Sequence, residues 1–335
     1  MSKFLVLEFG SKSIKIHRRT SAGEFQKTNV HWSVGHEVYR EGNISAASRR
    51  LVTKVIDALT RRGFSRRAMI VIATGAVRDA PDREEFLSFL RNDLKVEVRV
   101  LSGREEASLL AQGFLSKAIP RPSFGIDIGG GSLEMVFLDK DRTALRHSLP
   151  LGVIRLHYLG SETRRSSESP PGAQSGRGFN HRIVADFIVE NLREALLLKL
   201  SSLHGTGGPV KAVAKVLKDD TIRLGPLREL EERTLREGPP ASLSEERQLI
   251  FLPGVMVLRR LLEHAEAESI VYQRIPIGQI FLERFLSSLH DGRDGEHDDE
   301  HTMRKIQGIR ITKLHYHSDF LPRPPAPQAK AGDDA

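Results

Sequence analysis

The sequence predicts an α/β protein of two similar domains that face each other, and three observations lead there. The first is the stretch Phe124 to Leu138, FGIDIGGGSLEMVFL. Phe124, Ile126 and Ile128 alternate with Asp127, three glycines interrupt the run, and Leu133, Met135 and Phe137 resume the alternation. That is the pattern of a β-hairpin with a phosphate-sized turn. The second is a repeat of the pattern in Phe4 to Ile16, FLVLEFGSKSIKI. With Glu8 set on Asp127, Gly10 falls on Gly129, Ser13 on Ser132, Ile14 on Leu133 and Ile16 on Met135. The third is length: 335 residues suit two cores better than one, and the proline-containing stretch Ala118 to Ser123 reads as a linker. The domains are therefore placed at residues 1–122 and 123–290, with 291–335 as a tail.

Glycines let backbone N–H groups approach an anion closely, and a carboxylate ending the preceding strand, Glu8 or Asp127, can hold a divalent cation or orient a water. Glu134 adds a further carboxylate. Taken alone, a GGGS turn is more often an ordinary hairpin; two facing turns would make one cleft. Ile44 to Gly63 carries Leu51, Val52, Val55, Ile56 and Leu59 on one helical face, with Ser45 as N-cap and Gly63 past the end. Met69 to Ala73 is a buried strand running into Thr74, Gly75, Ala76, Val77 and Arg78, and a guanidinium there matches two phosphate oxygens. Pro81 to Leu94 reads as helix and Val96 to Leu101 as a short strand. Ser102 to Leu115 opens another helix, and because the helix dipole favours acids in a first turn, capping is the first reading of Glu105 and Glu106.

Beyond the second hairpin, Leu149 to Leu156 is apolar around Arg155, Glu162 to Gly178 is expected to be a mobile loop, and Arg182 to Leu203 is helical and then strand-like. Gly205, Thr206, Gly207 and Gly208 form a third glycine turn, with Pro209 opening the helix Val210 to Leu217, where N-terminal donors favour an anion. Helices at Pro226 to Glu237, Ile250 to Ala265 and Gly278 to Leu289, with a strand at Ser269 to Tyr272, complete the second half. The tail from Asp291 is acidic, then rich in Pro, Ala and charge, and is expected to be disordered, which disfavours a metal on His290, His297 and His301.

A composition of 39 % hydrophobic and 28 % charged residues is that of a globular chain. The absence of cysteine excludes disulfides and thiolate chemistry. The run Phe4 to Leu7 is too short for a signal segment and no window suits a membrane span, so a cytoplasmic location is expected. A net charge of +8 favours polyanionic partners: nucleic acid, polyphosphate, nucleotides or an anionic membrane face.

Taken in order, the blocks EFGSKSIKI, ATGAVRDAPDREEF, LSGREEASLLAQGF, FGIDIGGGSLEM, SLPLGVIRL, GTGGPVKAVAKV and LIFLPGVMVL resemble those of the exopolyphosphatase and guanosine-pentaphosphate phosphatase family, within the actin, sugar-kinase and Hsp70 superfamily. The likeness runs from about Phe4 to Leu289 and is to the short members. It implies two ribonuclease-H-like domains of the actin-like ATPase type with a cleft between them. In that cleft it implies Mg²⁺-dependent release of terminal phosphate from inorganic polyphosphate or guanosine pentaphosphate, the latter a link to the stringent response. By position, Glu106 matches the general base, Asp127 and Glu134 its acidic partners, and Asp127 and Glu8 the metal side. Phosphate contacts fall on Gly10, Ser11, Lys12 and Ser13, on Arg78, on Gly129, Gly130, Gly131 and Ser132, and on Gly205, Thr206, Gly207 and Gly208. The final helix is implied to pack back on the first domain. A homodimer is compatible with the resemblance; a membrane or sequence-specific nucleic acid is not an implied partner.

Three departures stand out. Glu8 and Lys12 replace the usual Asp and Asn, Ile277, Gly278 and Gln279 stand for Arg-Glu-Gly, and Gly75 replaces a hydroxyl residue. Lys12 is expected either to neutralise phosphate charge, pairing with Glu8 when no phosphate is bound, or to point to solvent from the turn. These changes keep open a second class of function, a weakly active or inactive sensor of polyphosphate or guanosine tetra- or pentaphosphate using the same cleft. A kinase of the same superfamily fits the intervening blocks less well.

Overall fold

Each glycine hairpin starts a sheet. The computed structural model describes residues 4–139, 142–162, 179–193, 195 and 202–290; residues 163–178 of the expected loop, the tail, His297 and His301 lie outside them. β1 (Leu5–Phe9), β2 (Ser13–Arg19), β3 (Phe25–His31), β4 (Met69–Ala73) and β5 (Glu97–Val100) lie in the order β3-β2-β1-β4-β5. β6 (Ser123–Ile128), β7 (Leu133–Asp139), β8 (Arg142–Leu149), β9 (Ser202–Gly207), β10 (Thr221–Arg223) and β11 (Ser269–Tyr272) lie in the order β10-β11-β9-β6-β7-β8. Read from β8, the second order matches the first strand for strand, with β10 added at the edge. The central strands LVLEF and MIVIA are wholly buried, as expected where parallel strands are covered on both faces.

The helices are α1 (Val34–Glu41), α2 (Ala46–Arg61), α3 (Gly75–Asp79), α4 (Arg83–Ser88), α5 (Gly103–Leu115), α6 (Val153–Glu162), α7 (His181–Arg193), α8 (Gly208–Leu217), α9 (Leu224–Glu237), α10 (Glu245–Ala265) and α11 (Ile277–His290). Ser45 caps α2, accepting from Ser48 N–H at 3.2 Å. The segment expected as one helix from Pro81 to Leu94 starts instead at Arg83 and ends in a π turn, Phe89–Asp93. α10 starts at Glu245, earlier than its apolar pattern indicates, and carries Pro253 inside. Among the described residues no helix is long and apolar enough to cross a membrane.

The last helix of each half lies on the other half's sheet. From α5, Ala107, Leu110, Ala111 and Phe114 join Val136 and Leu138 of β7. From α11, Phe281, Leu282, Phe285 and Leu286 join Val6 of β1 and Ile70 and Ile72 of β4. The two helices also touch each other, so they clasp the halves together. The two sheets of matching order, each led by a glycine hairpin, give the paired α/β architecture that the internal repeat predicts.

Candidate active site

Each hairpin turn is closed by one hydrogen bond, from Gly10 N–H to Ser13 O at 3.2 Å and from Gly129 N–H to Ser132 O at 2.9 Å. Each also presents a carbonyl to the next helix: Gly35 N–H donates to Ser11 O at 2.8 Å and Ile154 N–H to Gly130 O at 2.9 Å. The turns touch. A Cβ on Gly130 would stand 2.7 Å from Ser11 Cβ, so glycine is what lets one turn seat on the other. Among the described residues the N–H groups of Gly130 and Gly131 donate no hydrogen bond, which leaves two donors for an anion. Ala76 N–H donates to Ser11 Oγ at 3.1 Å, bringing α3 and Arg78 to the same place.

Four ionisable groups meet beside these turns. Arg78 donates through Nη1 to Glu106 Oε2 and to Leu101 O at 2.9 Å, and its Nη2 lies 3.5 Å from Ser132 Oγ. Ser148 Oγ on β8 donates to Glu134 Oε1 at 2.9 Å. Glu106 and Glu134 are both buried, and burial raises both carboxyls. Arg78 opposes the rise at Glu106, whereas the charge of Glu106 adds to it at Glu134. Asp127 is pushed up to about 7, chiefly by burial, with Lys15 opposing and Glu106 and Glu8 adding. Among the described residues no hydrogen bond reaches its carboxylate. The expected third glycine turn is not a separate turn: Gly205, Thr206 and Gly207 end β9, Thr206 lies opposite Asp127 in the β6–β9 ladder, and Gly207, at φ +97°, caps α8, which begins at Gly208.

The capping reading holds for Glu105 alone: its side chain accepts from Ser102 N–H at 2.8 Å, and its N–H donates to Ser102 Oγ at 3.3 Å. Glu106, one residue on, turns instead to Arg78.

In the first hairpin Glu8 takes the place of Asp127 but not its surroundings. Its Oε1 accepts from Lys15 Nζ and its Oε2 lies 3.1 Å from His17 Nε2. Burial would raise Glu8, yet Lys15 and His17 outweigh it and hold the carboxyl well below the usual carboxylate range. Lys15 is raised despite burial by Glu8 first, then by Asp127 and Glu106, so it is the cation that serves both halves of the site.

The expected Lys12–Glu8 pair is not formed. Lys12 Nζ lies 3.2 Å from Glu246 Oε2 at the start of α10, and the same oxygen is 3.6 Å from His31 Nδ1. Lys15 pairs with Glu8 because it stands directly opposite in the antiparallel ladder, where side chains are nearest, whereas Lys12 projects from the turn. Sequence reasoning passed over Lys15 and His17, although Lys15 is to Glu8 what Glu134 is to Asp127. It also passed over the brace of the second turn. There Arg155 donates through Nε to Gly131 O at 3.0 Å and through Nη2 to Asp79 Oδ2 at 2.5 Å, while Tyr39 OH donates to the same oxygen at 2.8 Å. The departure at Gly278 has a steric reason: a Cβ there would run into His17 Nε2 and stand 2.8 Å from Glu8 Oε2.

Among the described residues no three His, Asp or Glu side chains are grouped to hold a metal ion. Glu8 does not fit a metal, since one of its oxygens is held by Lys15 and the other by His17. Asp127 does fit, with a carboxylate free of hydrogen bonds beside unspent turn donors, and Mg²⁺ is commonly held by one or two carboxylates together with a substrate phosphate.

Residues 26–276 match the Ppx/GppA phosphatase family, a span that begins after the first hairpin and takes in the second. Among solved structures, the chain is similar to the PPX-GPPA enzyme of Aquifex aeolicus, with 18 % identity, 83 % of this chain and 98 % of that one covered, and a TM-score of 0.63. It is similar to an exopolyphosphatase from Cytophaga hutchinsonii, with 17 % identity, coverages of 85 % and 97 %, and a TM-score of 0.62. An exopolyphosphatase-like protein gives 20 % identity, coverages of 83 % and 96 %, and a TM-score of 0.64. At these identities the likeness speaks for the fold.

Proposed function

We propose, from the premise that the chain belongs to the Ppx/GppA phosphatase family, that it is a phosphohydrolase releasing terminal phosphate from inorganic polyphosphate or guanosine pentaphosphate between its two hairpins. The observation that carries this reading is the meeting of Glu106, Asp127, Glu134 and Arg78 beside the paired glycine turns. Phosphoryl transfer asks the protein for a positioned water, an in-line leaving group and stabilisation of charge on the transferred oxygens. The turn N–H groups and Arg78 answer the last need. As substrate enters, Arg78 turns from Glu106 to a phosphate oxygen, and the released carboxylate takes the proton of the attacking water. The water oxygen bonds to phosphorus while the bridging P–O bond breaks, and the leaving phosphate keeps the electron pair. Asp127 would hold a divalent cation, which when bound supplies further charge compensation at the phosphoryl oxygens. Lys15 adds a fixed positive charge near Asp127 and Glu106.

A binder without turnover is the second reading, and one observation favours it: Glu106 is tied to Arg78, and Glu8 to Lys15 and His17. Phosphate release from long-chain polyphosphate and from guanosine pentaphosphate, each with and without Mg²⁺, separates the two. Release that is lost in Glu106→Gln supports the enzyme. Saturable binding without release selects the sensor, and neither result overturns both.

A further inference from the structure

The catalytic proposal leaves unused a group of arginines gathered around α5. Arg146 stands opposite Val136 in the β7–β8 ladder, and Val136 is buried among Ala107 and Leu110 of α5, so Arg146 lies on the α5 side of the sheet. It is two residues, about 7 Å along a strand, from Ser148, whose hydroxyl holds Glu134. Arg284 approaches from α11 and Arg99 from β5; burial and the charges of Arg99 and Arg146 lower the Arg284 guanidinium from its ordinary value. Arg99 is engaged, donating to Glu105 Oε1 at 2.7 Å. The others are not. Arg146 Nε, Arg284 Nη1 and, in the first turn of α5, Arg104 Nη1 are buried without a hydrogen-bond partner. His147 Nε2 is in the same condition; burial first, and then the charge of Arg104, lower its imidazole.

Among the described residues no carboxylate pairs with Arg104, Arg146 or Arg284. Like charges held together with buried, unpaired N–H groups are unfavourable in the isolated protein. An oxyanion would both neutralise the charge and accept those N–H groups, and guanidinium forks from several elements suit a tetrahedral phosphate. Each of these residues is only partly buried.

We propose that Arg146 and Arg284, flanked by Arg99 and Arg104, form a second phosphate-binding site beside α5, separate from the paired turns. The phosphate has two sources with the same chemistry: a free orthophosphate ion, or a later unit of a polyphosphate chain whose end lies among Glu106, Asp127 and Glu134. Only the second source rests on the activity proposed above.

The test is equilibrium binding to the full chain in EDTA at physiological ionic strength, with orthophosphate and with inorganic tripolyphosphate as probes. Arg146→Gln and Arg284→Gln are each expected to weaken tripolyphosphate binding about tenfold, while Arg236→Gln, an exposed arginine on α9, leaves it unchanged. Without phosphate, Arg284→Gln is expected to melt at a higher temperature than the wild type, because a repelling charge is gone, so loss of binding is not loss of fold. Orthophosphate binding with the same arginine dependence identifies the free ion. Binding confined to tripolyphosphate, with a higher KM for long chains in Arg284→Gln, identifies the chain. Unchanged affinity in both variants overturns the proposal. So does binding that emerges only when the acidic residues of 291–300 are replaced by amides, since the arginines would then serve the chain's own acids. A wild type that releases no phosphate would sink the proposed activity and leave these binding results standing.

Discussion

Glu8 faces Lys15 across the first hairpin, and Asp127 faces Glu134 across the second. Register, turn closure and place in the sheet are the same, yet one pair attracts and the other repels. Opposite charges across a strand pair stabilise it by a few tenths to about 1 kcal/mol, and like charges cost a similar amount. The first hairpin has thus settled its electrostatics internally, with Glu8 held ionised by two partners. The second keeps an unpaired carboxylate of raised proton affinity, which a proton or a cation can satisfy. A repeat that keeps its backbone while unbalancing one copy's charges is the pattern expected of a functional site, where local stability is given up. The span matched by the phosphatase family contains the unbalanced copy and not the balanced one.

The contrast breaks most visibly if the reactive half is disarmed. Glu106→Gln keeps size but cannot take a proton, and it is expected to lower phosphate release by about 10²- to 10⁴-fold with polyphosphate affinity nearly unchanged; single-turnover release alongside equilibrium binding reads both. Next in size, Glu8→Gln should cost about 2–3 kcal/mol in urea unfolding at pH 7. It strands His17 and Lys15, the latter with 34 % of its side chain exposed, which tempers the loss. Because the folded carboxyl is held below its unfolded value, this contribution is present above about pH 4.5 and fades as pH falls, so variant and wild type should converge in acid.

Asp127→Asn should move stability the other way. With its folded pKa raised from 3.8 to about 7, Asp127 holds an extra proton in the native state between those values, so wild-type stability falls as pH rises through that window. In EDTA the amide should remove this slope and leave the variant more stable at pH 8 by about 1–2 kcal/mol, after allowance for partial exposure. At pH 3, where the folded and unfolded wild type both carry the proton, the two proteins should match. A destabilised variant at pH 8 would show Asp127 to be as well compensated as Glu8. The smallest effect belongs to Lys12→Asn. Its pair with Glu246 is partly exposed, so stability should change by less than about 1 kcal/mol and a magnesium titration should superimpose on that of the wild type.

Much of this was legible in the residues. The hairpins, the strand Met69 to Ala73 and the cap at Ser45 each follow from a short-range pattern whose cause is local. The strands β3, β8 and β10 left little trace because they lie at or next to sheet edges; the sequence FQKTNVH in β3 offers no apolar face to find. The expected pairing of Lys12 with Glu8 failed for a different reason. Turn residues can point several ways, and only the ladder decides that Lys15 rather than Lys12 meets Glu8. Similarly, Glu105 and Glu106 are indistinguishable as first-turn acids until the fold sets Arg78 beside one of them.

The exchange of α5 and α11 bears on how the chain folds. Four side chains of α11 are almost fully buried against the partner half, each contributing about 1.5–3 kcal/mol, which together rivals the ~5–15 kcal/mol by which a whole domain is usually stable. Each half builds one core from its own residues but leaves the other face of its sheet to the exchanged helices, so the two halves are expected to depend on each other for stability. The chain should melt in a single cooperative transition. Severed between Ala118 and Ser123, it should yield fragments that regain structure only when mixed.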